Sequence, residues 1–420
     1  AALQSEPDNV LALKSLASLL EGQGAFVEAE EGYQSALRLD PACARSWNNL
    51  GVLLKRRGAF REAEESYRAA IRAGSVSGRS HGNLGYLQRR RGALLEAEAS
   101  FSAAVRLDPG NAEAWTSLAA LLFGRGARGE AEEASRRALE LQPSSAAAWT
   151  NLALLLEVPR PSEAAAAHRR ALRLVPRMVA PHCGLARLLS REGKTSEAHA
   201  RYLKALRLEP SNTEVLEGLG LLLKGEGRAE EAEAYFWRAL GRGSIRDLGK
   251  ETADTSELRA EPRSATVWMS LAGLQYEAGR VKEAEANLRA ATSADPSSSR
   301  AHYNLGFVLK QRGAFEEAEA SYRAALRVLP GGGGGSDQSG GRGRRTAAGD
   351  ELGAAAWTDL GGVLQMQGAP AEAEACYKAA LRLDPASPVA LSNLGHHLYD
   401  RGDLGAAEES FQSALTSVEG

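Results

Sequence analysis

Residues Trp47–Arg72 read WNNLGVLLKRRGAFREAEESYRAAIR, and His302–Arg327 read HYNLGFVLKQRGAFEEAEASYRAALR, with 18 of the 26 positions unchanged. Two near-copies 255 residues apart point to an internal repeat, and aligning their shared L-G, G, E-A and P positions gives a period of 34 residues. Eleven repeats follow, starting at Val10, Ala44, Gly78, Ala112, Ala146, Val179, Thr213, Ala265, Ser299, Ala354 and Pro388. The fifth, at Ala146, is one residue short, in the stretch EVPRPSEAA. Counted from each start, position 4 is often large (Trp47, Trp115, Trp149, Trp268, Trp357), position 7 is Leu throughout and position 8 is Gly or Ala. Position 15 is Gly in ten repeats, positions 20 and 27 are Ala, position 24 is often aromatic and position 32 is commonly Pro.

Spacings of 3, 4 and 7 place positions 4, 7, 8 and 11 on one helical face and positions 20, 24 and 27 on another. Each repeat is therefore expected to be two amphipathic helices. The glycine at 15 suits a left-handed cap after the first helix, and the proline at 32 stops the second. Small residues at 8, 20 and 27 let the backbones approach, while the large residues at 4 and 24 fill the remaining space. One hairpin cannot cover its own apolar faces, so neighbours must stack into a solenoid.

This pattern resembles the tetratricopeptide repeat family. Its signature W-x2-L-G-x2-Y…A-x3-F…P is met by WNNLGVLL and A-x3-Y from Trp47 to Tyr67, and by WTDLGGVL, A-x3-Y and P from Trp357 to Pro385. The resemblance spans roughly 370 of the 420 residues. It implies an all-α, right-handed superhelix whose first helices line an inner groove. The expected organisation is the end of a preceding repeat at 1–9, repeats 1–7 at 10–246, a polar insertion at 247–264, repeats 8–9 at 265–332, a Gly/Ser-rich flexible insertion at 333–353, and repeats 10–11 at 354–420. The chain opens in mid-repeat and ends without an added polar helix, which suggests a piece of a longer parent.

Composition narrows the function. Net charge is −2 with 51 basic and 53 acidic residues, so no overall excess advertises nucleic acid, and any charge-based role must lie in local patterning. Cys43, Cys183 and Cys376 stand far apart, without metal or disulfide spacing, and read as free thiols in a reducing compartment, cytoplasmic or nuclear. No apolar run is long enough to span a membrane. The arginines Arg342, Arg344 and Arg345 in the glycine-rich stretch read as part of a solvated linker.

No catalytic constellation is expected, and no metal or cofactor. His81, His182 and His302 occupy position 4, where other repeats carry Trp, and so read as packing residues. Glu-rich strings such as Glu62–Glu65 read as a solvated helix face, and no phosphate-binding glycine loop occurs.

The resemblance turns positions 2, 5, 6, 9, 12 and 13 toward the groove. Position 6 is Asn in five repeats: Asn49, Asn83, Asn151, Asn304 and Asn393. An asparagine there either bonds the backbone of the adjacent helix or offers donor and acceptor to an extended peptide. The series is similar to the asparagine ladder of O-linked N-acetylglucosamine transferases, but is broken by Ser117, Ser270, Gly184, Gly218 and Asp359. Basic residues at 12 and 13, among them Lys55, Arg56, Arg89, Arg90 and Lys310, add a mildly basic lining suited to an acidic segment. A carboxylate clamp of the co-chaperone type is not expected, since Ser18 and Asn83 stand where that clamp requires Asn and Arg. The expected function is a non-enzymatic scaffold that holds extended or acidic segments of other proteins, not nucleic acid. The alternative is the recognition arm of a larger glycosyltransferase, either the nuclear and cytoplasmic kind or a membrane-embedded O-mannosyltransferase.

Overall fold

Each repeat contributes two helices, as the period requires. The structure, a computed structural model, describes residues 9–74, 78–241, 264–329 and 347–419. These contain 22 α-helices and no strand. The chain divides into two units, Ala1–Glu209 and Pro210–Gly420. The first holds α1 (Val10–Gly22), α2 (Phe26–Leu39), α3 (Ala44–Arg56), α4 (Phe60–Arg72), α5 (Gly78–Arg90), α6 (Leu94–Leu107), α7 (Ala112–Gly124), α8 (Arg128–Leu141), α9 (Ala146–Leu156), α10 (Pro161–Leu174), α11 (Val179–Arg191) and α12 (Thr195–Leu208). The second holds α13 (Thr213–Gly225), α14 (Ala229–Ala239), α15 (Ser264–Glu277), α16 (Val281–Ala294), α17 (Ser299–Gln311), α18 (Phe315–Val328), α19 (Ala347–Met366), α20 (Pro370–Leu383), α21 (Pro388–Asp400) and α22 (Leu404–Glu419). Odd-numbered helices are first helices of a repeat and even-numbered ones are second helices. Within each unit every helix packs mainly on its neighbours in sequence, as in a quasi-one-dimensional array.

Local chemistry sets the helix ends. Side chains of Asn9, Asn111, Ser145, Asn212, Ser298 and Ser387 accept from backbone N–H groups at the starts of first helices. All ten position-15 glycines lie in the left-handed region, with φ from 74° (Gly193) to 84° (Gly58), closing the turn into the second helix. Position 8 is small because the aromatic at 24 lies on it. A Cβ on Gly51 would sit 2.7 Å from the Tyr67 ring, and one on Gly361 would sit 2.6 Å from Tyr377. Ala63, Tyr67 and Ala70 are fully buried, as are Ala318, Tyr322 and Ala325. At position 4, Trp47, Trp115 and Trp149 donate their ring N–H to the carbonyls of Pro41, Pro109 and Pro143 at 2.9–3.0 Å. His182 and His302 hold the same contact, with Nε2 at 3.3 and 3.1 Å from the Pro176 and Pro296 carbonyls, so histidine replaces tryptophan as a packing residue.

Two expectations need correction. The glutamates of the E-A-E-E strings are not uniformly solvated: Glu62 and Glu65 are exposed, but Glu64 at position 21 is buried. Position-21 carboxylates pair with an arginine opening the next repeat's turn, as in Arg57–Glu30, Arg91–Glu64, Arg125–Glu98, Arg312–Glu285 and Arg401–Glu374. Arg160–Glu132 and Arg280–Glu233 make the same link with small shifts in register. The last insertion is also shorter than 333–353, because α19 starts at Ala347 and packs Gly353 against Leu383. Residues 1–8, most of 247–264 and 330–346 lie outside the described residues.

The short fifth repeat is built differently. It lacks the left-handed glycine, and its first helix, α9, ends at Leu156 after 11 residues. Glu157 turns inward, accepting from Arg187 at 2.8 and 3.1 Å and lying 3.2 Å from His168 Nε2, while Arg191 donates to the Glu157 carbonyl at 3.2 Å. Burial pushes the Glu157 carboxyl up, but hydrogen bonds from His168 and Arg187 outweigh it and hold it below the usual glutamate range.

Candidate functional site

The first-helix face of the N-terminal unit carries a cleft of about 620 Å³ across α3, α5 and α7. Helical spacing puts positions 2, 5, 6, 9 and 12 of successive repeats on this face, where Leu50 and Leu53 turn to the core behind it. Three of the expected site residues, Asn49, Asn83 and Lys55, come together here, half-buried. A third amide links them: Asn48 Oδ1 accepts from Ser80 Oγ at 3.1 Å and from Asn83 Nδ2 at 3.5 Å, and Asn48 Nδ2 reaches Asn49 Oδ1 at 3.5 Å. Lys55 Nζ donates to Asn83 Oδ1 at 3.4 Å and stands 5.3 Å from the centre of the Tyr86 ring. Val52 and Tyr86 supply apolar surface beside the amides. Lys55 and Arg79 bring positive charge to the lining, and Asp108 and Glu113 bring negative charge.

The other expected residues have separate placements. Arg56 reaches Glu21 at 3.2 Å and lies over Phe26, and Arg90 lies over Phe60 with its guanidinium 3.8 Å from the ring centre. Both arginines thus bridge a first helix to the aromatic that opens the preceding second helix. Arg89 is exposed, 5.9 Å from the Tyr86 ring centre. Asn151 donates to the Thr116 carbonyl at 3.1 Å, the adjacent-helix backbone bond that was one of the two readings of this position.

In the C-terminal unit, Asn304 and Asn393 are half-buried on first helices. Lys310 pairs with Asp359 at 2.9 Å, and Tyr303 donates to the same carboxylate at 2.9 Å. Burial first, and the Asp359 charge second, push the Tyr303 hydroxyl above the ordinary phenol range. Lys55–Asn83 and Lys310–Asp359 are the same link, position 12 of one repeat to position 6 of the next.

Sequence reasoning passed over Asn48, although position 5 faces the groove and WNNL doubles the asparagine. It also missed the neutralisation of Lys310, because a contact across 49 residues is invisible to a one-helix pattern. Cys376 is buried, which pushes its thiol up to about 11 and keeps it in the protonated, inert form. Among the described residues, no group of three His, Cys, Asp or Glu side chains stands where a metal would be held, and no helix is long and apolar enough to cross a membrane.

A family profile described as tetratricopeptide repeat matches residues 1–42, 28–77, 48–112, 183–244, 274–333, 344–388 and 359–420. No curated protein matches the chain. Among solved structures, the chain is similar to YrrB, described as a tetratricopeptide repeat protein with an unusual peptide-binding site, at 22% identity over 43% of this chain and 93% of that one, with a TM-score of 0.39. It is similar to a tetratricopeptide repeat protein of Parabacteroides merdae at 22% identity over 57% and 95%, with a TM-score of 0.44. Similarity to the Cut9–Hcn1 assembly extends over 97% of this chain and 93% of that one, at 11% identity and a TM-score of 0.49.

Proposed function

The chain belongs to the tetratricopeptide repeat family, a scaffold fold for binding other proteins, and from that premise we propose that it holds an extended peptide across α3, α5 and α7. The observation that carries this reading is the network Asn49–Asn48–Asn83–Lys55 along one cleft. Carboxamides offer both donors and acceptors, and an extended backbone presents both in alternation. Charges of both signs in the lining suit the dipoles of a peptide better than a purely anionic ligand. Val52 and Tyr86 would receive apolar side chains. The reading gives Asn49, Asn83 and Lys55 the leading roles, makes Arg56 and Arg90 supports of the cleft wall, and assigns no catalytic step to these residues.

The test selects peptides from a random display library on the whole chain and measures the best binder by fluorescence anisotropy. Asn49→Ala with Asn83→Ala should weaken it on the order of tenfold or more, the scale of two lost hydrogen-bonding groups. The helical circular dichroism signal should stay the same. Unchanged affinity would remove the peptide from this cleft.

A further inference from the structure

The second-helix side of the same unit holds a charge pattern that the cleft does not use. Between Arg160 and Leu208 stand eleven Lys and Arg against three Glu and no Asp, in a chain whose totals otherwise balance. The cause is local. Position 21, elsewhere a glutamate paired across repeats, is Ala165 in the fifth repeat and His199 in the sixth.

Four of the eleven cations have partners: Arg160 on Glu132, Arg187 and Arg191 on Glu157, and Lys194 on Glu192. The remaining seven are Arg169, Arg170, Arg173 and Arg177 on and just after α10, and Arg201, Lys204 and Arg207 on α12. They form no ion pair among the described residues. All are exposed except Arg201, which is half-exposed. Both helices pack on α11 between them. His182 on α11 senses the cluster: burial first, then the charges of Lys204 and Arg201, hold its ring pKa below the ordinary imidazole value.

Beside these cations is an apolar slot of about 480 Å³. Trp149, Leu152 and Ala167 floor it, Arg136, Arg170 and Arg173 stand at its rim, and Glu163, already paired with Arg136 and Arg160, is the one carboxylate of its lining. Ala166 and Ala167 of α10 leave it open, where longer side chains would fill the space.

We propose that α10 and α12 form a second docking surface, for an acidic segment of a partner protein that inserts one aromatic or aliphatic side chain into the slot and sets carboxylates on Arg170 and Arg173. The guanidiniums lie one helical turn apart, and their fork geometry suits carboxylates flanking a single anchor. Single-stranded nucleic acid fits less well, since it needs exposed aromatic platforms. Here Trp149 is half-buried, with its ring N–H fixed on Pro143. A membrane surface would require a broad patch of exposed apolar side chains around the arginines, whereas Val175 is the one exposed large apolar side chain between Arg169 and Arg177. The surface lies apart from the first-helix cleft, and its test stands alone.

The probe is a short fluorescein-labelled peptide rich in Asp and Glu with one central Phe, titrated into the whole chain and read by anisotropy. Saturable binding is expected, falling with added salt. Arg170→Glu with Arg173→Glu should weaken it on the order of tenfold or more, as should replacing the peptide's Phe with Ala. Arg170→Ala with Arg173→Ala serves as the milder pair, and Lys378→Ala, an exposed cation on α20, should leave binding unchanged. Failure of the peptide to bind, or indifference to both arginine pairs, overturns the proposal. So does tighter binding of a single-stranded oligonucleotide or of vesicles containing phosphatidylserine.

Discussion

The repeats starting at Ala44 and Gly78 and the short repeat starting at Ala146 solve one problem in two ways. In the former, a left-handed glycine makes the turn, and a half-exposed arginine of the next repeat reaches back to the position-21 glutamate on the second helix, Glu64 or Glu98. In the latter the glycine is gone, and the buried carboxylate is Glu157, just after the first helix, between His168 and Arg187. A single missing residue shifts the carboxylate from the second helix to the end of the first. The difference teaches that what must be kept between neighbouring repeats is an acid–base link on a buried carboxylate, whereas the helix that supplies the carboxylate is free to vary. It also explains the charge imbalance: once position 21 is released from pairing, α10 and α12 retain their arginines without their glutamates.

The largest break in this comparison is expected at Glu157. Glu157→Ala leaves Arg187 and His168 without their shared acceptor and should destabilise the fold by about 3 kcal/mol, as removal of one partner from a buried pair does, measured by urea unfolding. The same link carries a pH signature. Its folded carboxyl lies below the ordinary glutamate value, so its contribution is complete above that value and lost as pH falls through the depressed one. Stability of the wild-type chain should therefore drop more steeply on acidification than that of Glu157→Gln. Equal acid limbs would show that the link contributes nothing.

Next is the interior shared by the regular repeats. Gly51→Ala puts a Cβ into the Tyr67 ring and should cost about 2 kcal/mol by overpacking, read as a lower thermal midpoint. Gly58→Ala, at φ 84° with open space around it, isolates the turn, and about 1 kcal/mol is expected. The smallest effect belongs to the exposed edge. Arg91→Ala should change stability by no more than about 1 kcal/mol, since Arg91 is about half exposed and screened by water. A loss there as large as that at Glu157 would erase the distinction between the two kinds of repeat.

The fold was legible because its determinants are local and recur. Leucine at 7, glycine at 15 and alanine at 20 and 27 each meet the same constraint eleven or ten times, and the helices, their turns and the packing of His182 and His302 follow from them. The candidate site was legible only in part. Position 6 marked Asn49 and Asn83, but the same letter at Asn151 serves a neighbouring carbonyl, and Asn48, at position 5, completes the network. Which partner an amide finds depends on the residues of the next helix, 30 or more positions away.

The sequence by itself determined the period, the hairpins and the faces they bury, because helical periodicity and glycine's backbone freedom act within a few residues. Only the tertiary structure decided which glutamates are buried, that Lys310 is neutralised by Asp359 while Arg170 and Arg173 are not paired, and that Glu157 lies inside the stack. Those outcomes rest on distances between side chains of different repeats. Electrostatic attraction and desolvation depend on such distances, and linear spacing does not encode them.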